Sequence, residues 1–93
     1  MIVGVLTIEL MIYTSSSLKE KRFVVKGLKD RTRKKFNISI AETDYLDKWQ
    51  RAELAIAIVS NQQSHVEESL QHVFQFLDNA DQYEIISYRY EYC

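Results

Sequence analysis

The sequence contains no proline, two glycines and a single cysteine among its 93 residues. Cys93 has no second cysteine with which to pair and cannot assemble a metal site alone. Gly4 and Gly27 are too few for a glycine-rich phosphate loop or a flexible linker. We therefore exclude a disulfide-based scaffold and the common nucleotide-binding motifs. A single domain over residues 1–93 in a reducing, cytoplasmic setting is expected.

Long hydrophobic runs are also lacking. The apolar stretch 2–12 is short, has no basic segment ahead of it and contains Glu9. We expect neither a signal peptide nor a membrane span, and no membrane partner.

Positive charge is concentrated in residues 17–36, which carry nine of the twelve Lys and Arg residues against only Glu20 and Asp30. This segment has a formal charge of +7, and the rest of the chain, with three bases and eleven acids, has −8. The net charge of −1 thus hides a strongly polar molecule. The asymmetry indicates where a polyanion would be held.

Period-two alternation predicts strands over residues 2–12, 37–43, 51–60 and 83–92. Even positions form the drier face of the first strand and of the third. The third strand is apolar on both faces in its middle, which indicates a central strand whose second face is also covered.

Two amphipathic helices are predicted between these strands. The first begins at a capping box of Ser17 and Glu20, and Gly27 is expected to permit close approach to the sheet. The second is capped by Asn61 or by Ser64, which begins a second box, and ends near Asn79. The buried stripes are Leu18, Val25, Leu28, Thr32 and Phe36 on the first helix, and Val66, Leu70, Val73 and Leu77 on the second.

The order β-α-β-β-α-β predicts an α+β fold, a ferredoxin-like two-layer sandwich. Two helices lie on one face of a four-stranded antiparallel sheet, whose spatial order is fourth, first, third and second strand.

The basic helix is the strongest functional candidate, because closely spaced Lys and Arg gain free energy by displacing counterions from nucleic-acid phosphates. A helix face that serves solubility alone would carry mixed signs. The residues expected to contact phosphates are Lys19, Lys21, Arg22, Lys26, Lys29, Arg33 and Lys34. The alternative is that this face pairs with the acidic surface of another copy.

The outward positions of the two central strands carry no aromatic residue and two acids, Glu9 and Glu53. Stacking of bases on the sheet, as in many ferredoxin-like RNA binders, is therefore not expected. Small apolar residues on this face instead predict a homodimer or another protein partner. The expected interface residues are Val5, Thr7, Ala55, Ala57, Val59 and Tyr88, with the other C-terminal tyrosines adjoining them.

The remaining polar residues have no partner residues placed to form a metal site or a catalytic site. His65 and His72 have no further ligand placed to complete a site, so no metal or cofactor is expected. The hydroxyl run 14–17 is better explained by helix capping than by nucleophilic catalysis, and we assign no catalytic residue. Trp49 is expected to anchor its loop while partly buried, with a partner contact as the alternative.

Five blocks of the sequence form a recognisable pattern. They are Gly4-Val5-Leu6, SLKEKR at 17–22, FNISIAE at 36–42, WQRA at 49–52, and Val59-Ser60-Asn61 with His65-Val66-Glu67. Together they resemble the small bacterial YlxP-like family of unknown function. The resemblance covers essentially the whole chain, and it implies a cytoplasmic protein with a ferredoxin-like fold, encoded near translation and ribosome-maturation factors. That neighbourhood suggests ribosomal RNA or the ribosome as a partner. The tyrosine-rich end with Cys93 departs from the pattern.

Three functions from different classes are compatible with this architecture. We favour a non-enzymatic RNA- or ribosome-associated binding protein. The alternative is a dimeric protein-interaction or small-molecule-sensing module without nucleic-acid binding. A hydrolase resembling acylphosphatase is disfavoured, because Tyr13-Thr14-Ser15-Ser16 stands where that family has a glycine-rich phosphate loop with its arginine.

Overall fold

The computed structural model describes residues 1–93 and contains six elements in the order β-α-β-β-α-β. They are β1 (Ile2–Met11), α1 (Leu18–Lys35), β2 (Ser39–Asp44), β3 (Arg51–Ser60), α2 (Gln63–Leu77) and β4 (Glu84–Tyr92). The strands form one antiparallel sheet in the order β2-β3-β1-β4. The predicted ferredoxin-like fold and its strand order are therefore confirmed. Neither helix is long and apolar enough to cross a membrane.

The core lies between the sheet and the two helices. β1 and β3 are paired in register, with Leu6 opposite Ile56 and Ile8 opposite Leu54. These four side chains are fully buried, so the even positions do form the dry face of both strands. The helices close the core with Val25 and Leu28 from α1 and with Val66, Leu70, Val73 and Leu77 from α2.

Helix α1 begins as the sequence predicts. The Ser17 Oγ accepts a hydrogen bond from the Glu20 amide at 3.1 Å. The Glu20 carboxylate accepts from the Ser16 amide at 2.7 Å and the Ser16 hydroxyl at 3.0 Å, one residue earlier than in the predicted box. These two hydrogen bonds, first the one from the Ser16 backbone amide and then the one from its hydroxyl, lower the pKa of the Glu20 carboxyl group. At the other end Phe36 is the C-cap residue of the helix. Its ring packs edge-on against that of Phe76, with 5.6 Å between the ring centroids.

The predicted cap of α2 is wrong. Gln62 is the N-cap residue and makes no side-chain capping bond, and Ser64 already lies inside the helix. The reason is local, since the Ser60 hydroxyl accepts from the Gln62 amide at 3.3 Å and turns the chain directly from β3 into the helix. The Glu67 Oε1 instead accepts a hydrogen bond from the side-chain Nε2 of Gln63 at 3.3 Å. The helix ends at Leu77, close to the predicted Asn79.

Close approach of a helix to the sheet occurs at Gly4 and not, as predicted, at Gly27. A Cβ at Gly4 would lie 2.2 Å from Val66 Cγ1 and 2.9 Å from Leu70 Cδ1, so this is where α2 approaches the sheet closely. A Cβ at Gly27 would meet only the Arg31 Nη1, at 3.2 Å. The expectation that Gly27 lets α1 approach the sheet is therefore wrong.

Gly4→Ala should destabilise the protein by about 1–3 kcal/mol, because the added methyl group overpacks a filled core. Gly27→Ala is the matched control, and it should be neutral or stabilising by up to about 1 kcal/mol through helix propensity. Chemical denaturation of both variants measures the difference. Equal stabilities for the two variants would contradict the assignment of close packing to Gly4.

Tyr83 provides a pH-dependent test of the core. It is buried, its hydroxyl donates to the Leu77 carbonyl at 2.7 Å, and burial raises its pKa from 10.0 to about 12. The folded state favours the neutral phenol, so its contribution to stability is complete below pH 10 and falls as the pH rises through about 12.

An alkaline titration followed by near-ultraviolet absorbance should therefore show a late-ionising tyrosine that Tyr83→Phe removes. A Tyr83→Phe protein that keeps every late ionisation step of the wild type would contradict this assignment.

Candidate nucleic-acid interface

Lys21 is not on the surface, and its prediction as a phosphate contact is wrong. Its side chain is fully buried, and Nζ forms a salt bridge with Glu42 Oε2 at 2.8 Å. The same ammonium group donates to the carbonyls of Tyr45 at 2.7 Å, Arg51 at 3.2 Å and Leu46 at 3.4 Å. Every donor of the lysine is thus used inside the protein, and its role is to attach the segment between β2 and β3 to α1.

Gln50 makes the corresponding connection to the segment between β1 and α1. Its side-chain nitrogen donates to the carbonyls of Tyr13 and Ser15, each at 3.0 Å, and its own carbonyl accepts from the Ile12 amide at 2.7 Å. The SLKEKR and WQRA blocks therefore meet in space, where they hold two loops together at one end of the sheet.

The other eight bases of α1 are exposed or half-exposed. Arg22, Lys26, Lys29 and Arg33 follow i, i+4, i+7 and i+11 spacing, so they share one flank of the helix. We call these four residues the basic flank. Arg33 Nη2 donates to the Ile40 carbonyl at 3.0 Å, which places the flank on the β2 side. Lys19 and Lys34 lie exposed on the outward side of the helix.

Asp30 neutralises only part of this charge. One carboxylate oxygen lies 3.5 Å from Lys26 Nζ and the other 3.6 Å from Arg33 Nη1. Both pairs are largely exposed, and such pairs contribute less than about 1 kcal/mol each. Arg22 and Lys29 make no salt bridge, so the basic flank keeps a net positive charge that faces solvent.

The sheet face opposite the helices carries the predicted small apolar residues. Val5 lies between Ala57 of β3 and Glu91 of β4, and Thr7 lies beside Ala55. Val59 is 60% exposed and Thr7 only 6%, so the surface is uneven. Near its edges Arg51 forms a salt bridge with Glu9, and Arg89 forms one with Glu91. The carboxylate of Glu53, on the same face, has no salt bridge and accepts a hydrogen bond from the Thr43 hydroxyl at 2.8 Å.

Tyr88 does not belong to this face, and its place among the interface residues is wrong. It stands opposite Ile8, on the helix side of the sheet, and its ring centroid lies 4.7 Å from that of Phe74 in α2. Tyr90 and Tyr92 share that side, opposite Leu6 and Gly4. A register shift between Glu9 and Leu10 in the β1–β4 pairing turns Ile85 to the same side as well.

Trp49 is exposed rather than an anchor. Its side chain is 58% exposed and lines a cleft of about 400 Å³ with Met11, Tyr45, Lys48, Gln50 and Arg51. Arg51 packs over the Tyr45 ring at 4.1 Å, and Tyr45 has a positive φ of 59°. The loop is anchored instead by Lys21 and Gln50. The alternative, that Trp49 contacts a partner, stays a prediction.

The other groups that the sequence singled out lie apart. His65 and His72 are both exposed on α2, and no three His, Cys, Asp or Glu residues come together as a metal cluster. Cys93 is exposed, and its backbone pairs with Val3 beside the end of β4. In the hydroxyl run, Ser15 donates to the Ser17 carbonyl at 3.0 Å while Ser17 caps α1, which confirms the capping explanation.

Two features at this end of the molecule were missed by the sequence reasoning. The burial of Lys21 had a signal, because residues 21, 25, 28 and 32 are spaced as one helical stripe, and Val25, Leu28 and Thr32 are its other buried members. Phe23 is 78% exposed on the basic helix and lines a cleft of about 380 Å³ beside the loop between β1 and α1. The sequence also indicates this exposure, because Phe23 does not lie on the apolar stripe of α1.

Lys21→Met should destabilise the protein by about 3–5 kcal/mol, because it leaves Glu42 without its partner and three carbonyls without their donor. Lys26→Met is the matched control on the same helix and should change stability by no more than about 0.5 kcal/mol. Denaturation of Lys21→Met, Glu42→Met and the double variant gives the coupling, which we expect to be about 1–3 kcal/mol. Wild-type stability in Lys21→Met would contradict the structural role.

Comparison with known proteins gives a family but no activity. Residues 3–90 match the family model described as "Protein of unknown function (DUF503)". The chain is also 43% identical over 82 residues to "Uncharacterized protein YlxP" of Bacillus subtilis (strain 168), a match that spans 88% of this chain and 89% of that protein. The predicted likeness to the YlxP-like family is confirmed. The chain belongs to the DUF503 family of proteins of unknown function.

Proposed function

We propose that this protein is a non-enzymatic RNA-binding protein that holds phosphates with the exposed bases of α1. The observation that supports this proposal is the basic flank, four bases on one side of a helix with a single aspartate between them. With a rise of about 1.5 Å per residue, the flank extends over roughly 16 Å, a length that several successive phosphates can follow. Counterion release would supply the binding free energy.

Structured ribosomal RNA is the partner that we propose to test first. This choice is supported by the resemblance to the YlxP-like family, which implies a gene near those of translation and ribosome-maturation factors. The basic flank supplies only sequence-independent contacts, so the proposal predicts recognition of phosphate geometry rather than of base identity. Lys19 and Lys34, on the outward side of α1, extend the same positive surface.

We further propose that the open sheet face is covered by a second copy of the chain. This face is rich in small, partly exposed apolar side chains, and four of the charged residues around it form the Arg51–Glu9 and Arg89–Glu91 salt bridges. A surface of this kind suits an isologous interface, in which the same patch serves on both subunits. The faces that would meet are formed by Val3, Val5, Thr7, Ala41, Ala55, Ala57 and Val59. The dimer would leave the basic flank free on each subunit.

The phosphate contacts are tested by a salt series. Lys26→Gln with Lys29→Gln should weaken binding to a ribosomal RNA fragment and reduce the slope of log affinity against log salt by roughly 1.4–1.8. The control, Lys48→Gln with Arg89→Gln, removes the same charge from other surfaces. If the two double variants bind alike, the proposed interface is wrong. If the wild type ignores RNA at low salt, the proposed function is wrong.

The dimer is tested by light scattering. Ala57→Arg places a charge in the middle of the open face and should convert a dimeric protein into monomers without loss of helical signal. Gln71→Arg adds the same charge on the exposed side of α2 and should leave the mass unchanged. A wild-type protein that is monomeric at every concentration would contradict the dimer proposal and leave the RNA proposal standing.

A further inference from the structure

Phe23 is the most exposed aromatic side chain of the protein, and it lies in the middle of the positive charge. Phe23 is 78% exposed. Full burial of a Phe side chain would stabilise the folded state by roughly 1.5–3 kcal/mol, and most of that stabilisation is absent here. Lys19 and Lys26, at i−4 and i+3 on the same outward side of α1, are its helical neighbours. Phe23 therefore contributes little to the core and presents a flat apolar ring between two cations.

Gly27 occupies the next position along the same side, at i+4 from Phe23. A glycine inside a helix costs about 1 kcal/mol relative to alanine. No close packing requires it here, since the only atom near an added Cβ is Arg31 Nη1, at 3.2 Å. The Arg31 guanidinium thus lies over the glycine, four residues beyond it on the helix. Phe23, Gly27 and Arg31 form a row in which the ring of Phe23 is followed by the Arg31 guanidinium, because Gly27 has no side chain of its own.

We propose that this row, the Phe23–Gly27–Arg31 platform, stacks an unpaired nucleobase of a single-stranded RNA segment. Aromatic rings and guanidinium planes are the surfaces on which splayed bases stack, and the missing side chain at Gly27 lets the Arg31 guanidinium lie close to the helix beside the ring. Lys19 and Lys26 flank the platform and are placed to contact the phosphates on either side of that base. The inference rests on the proposed function and deepens it, because it selects unpaired RNA over a perfect duplex.

Charge complementarity favours RNA over an apolar protein segment at this position. The platform itself contains Arg31 and is bordered by the positive side chains of Lys19 and Lys26, and Lys34 lies further along the outward side. Its nearest acidic neighbours are Glu20, which is hydrogen-bonded to Ser16, and Asp30, which is shared by Lys26 and Arg33. A polyanion with planar groups matches both the charge and the exposed ring.

The test compares a single-stranded oligoribonucleotide, the same strand with abasic sites, and a duplex with the same number of phosphates. Phe23→Ala should weaken binding of the intact single strand by roughly 5- to 100-fold. It should leave the salt slope and the affinities for the abasic strand and the duplex unchanged. Phe23→Trp should restore single-strand binding. Gly27→Ala should also weaken it, although this variant is at least as stable as the wild type.

The outcomes separate the platform from the proposed function. If Phe23→Ala binds all three probes as the wild type does, the platform is overturned while phosphate binding by α1 stands. If the wild type binds none of the probes at low salt, both the proposed function and the proposed role of the platform are wrong. If Lys26→Gln with Lys29→Gln lowers the salt slope while Phe23→Ala lowers only single-strand affinity, both are supported.

Discussion

The buried ammonium group of Lys21 is the contact on which the geometry of α1 depends. Removing a charge from water costs several kcal/mol unless partners replace the water, and here one carboxylate and three carbonyls do so. Three of those four oxygens belong to the β2–β3 loop and the start of β3, so the lysine connects elements that are distant in sequence. Since a shift of one residue turns a helix by about 100°, this contact also fixes the rotation of α1.

That fixed rotation determines where the positive charge of the molecule is available. With Lys21 inside, the basic flank is held beside β2, and Phe23 faces away from the core. Most other positive groups are already occupied, because Arg51 and Arg89 are bonded to glutamates. Apart from Lys48, the bases without a salt bridge all lie on α1, which is why a nearly neutral protein has one strongly positive surface.

Much of this structure could be predicted from the sequence, because periodicity reports burial directly. The even face of β1 and the start of α1 at Ser17 follow from local patterns, and the strand order follows from the β-α-β-β-α-β order of the elements. The errors arose where a residue type was given more weight than its position. Lysine is rarely buried, which favours a surface position for Lys21, although its spacing places it on the apolar stripe. The prediction for Tyr88 is wrong because strand register is a tertiary property, although the polar alternation of Ser87, Arg89 and Glu91 indicates the correct side.

The most direct measurement is an amide chemical-shift map of the isotope-labelled protein during titration with a single-stranded ribosomal RNA segment at low ionic strength. The account predicts that the largest changes fall on α1, around Lys19, Arg22 and Lys26, and that they fade as salt is added. Amides of the open sheet face, such as those of Ala55 and Ala57, should keep their positions. Changes concentrated on that face, with α1 unaffected, would contradict the assignment of α1 as the nucleic-acid interface.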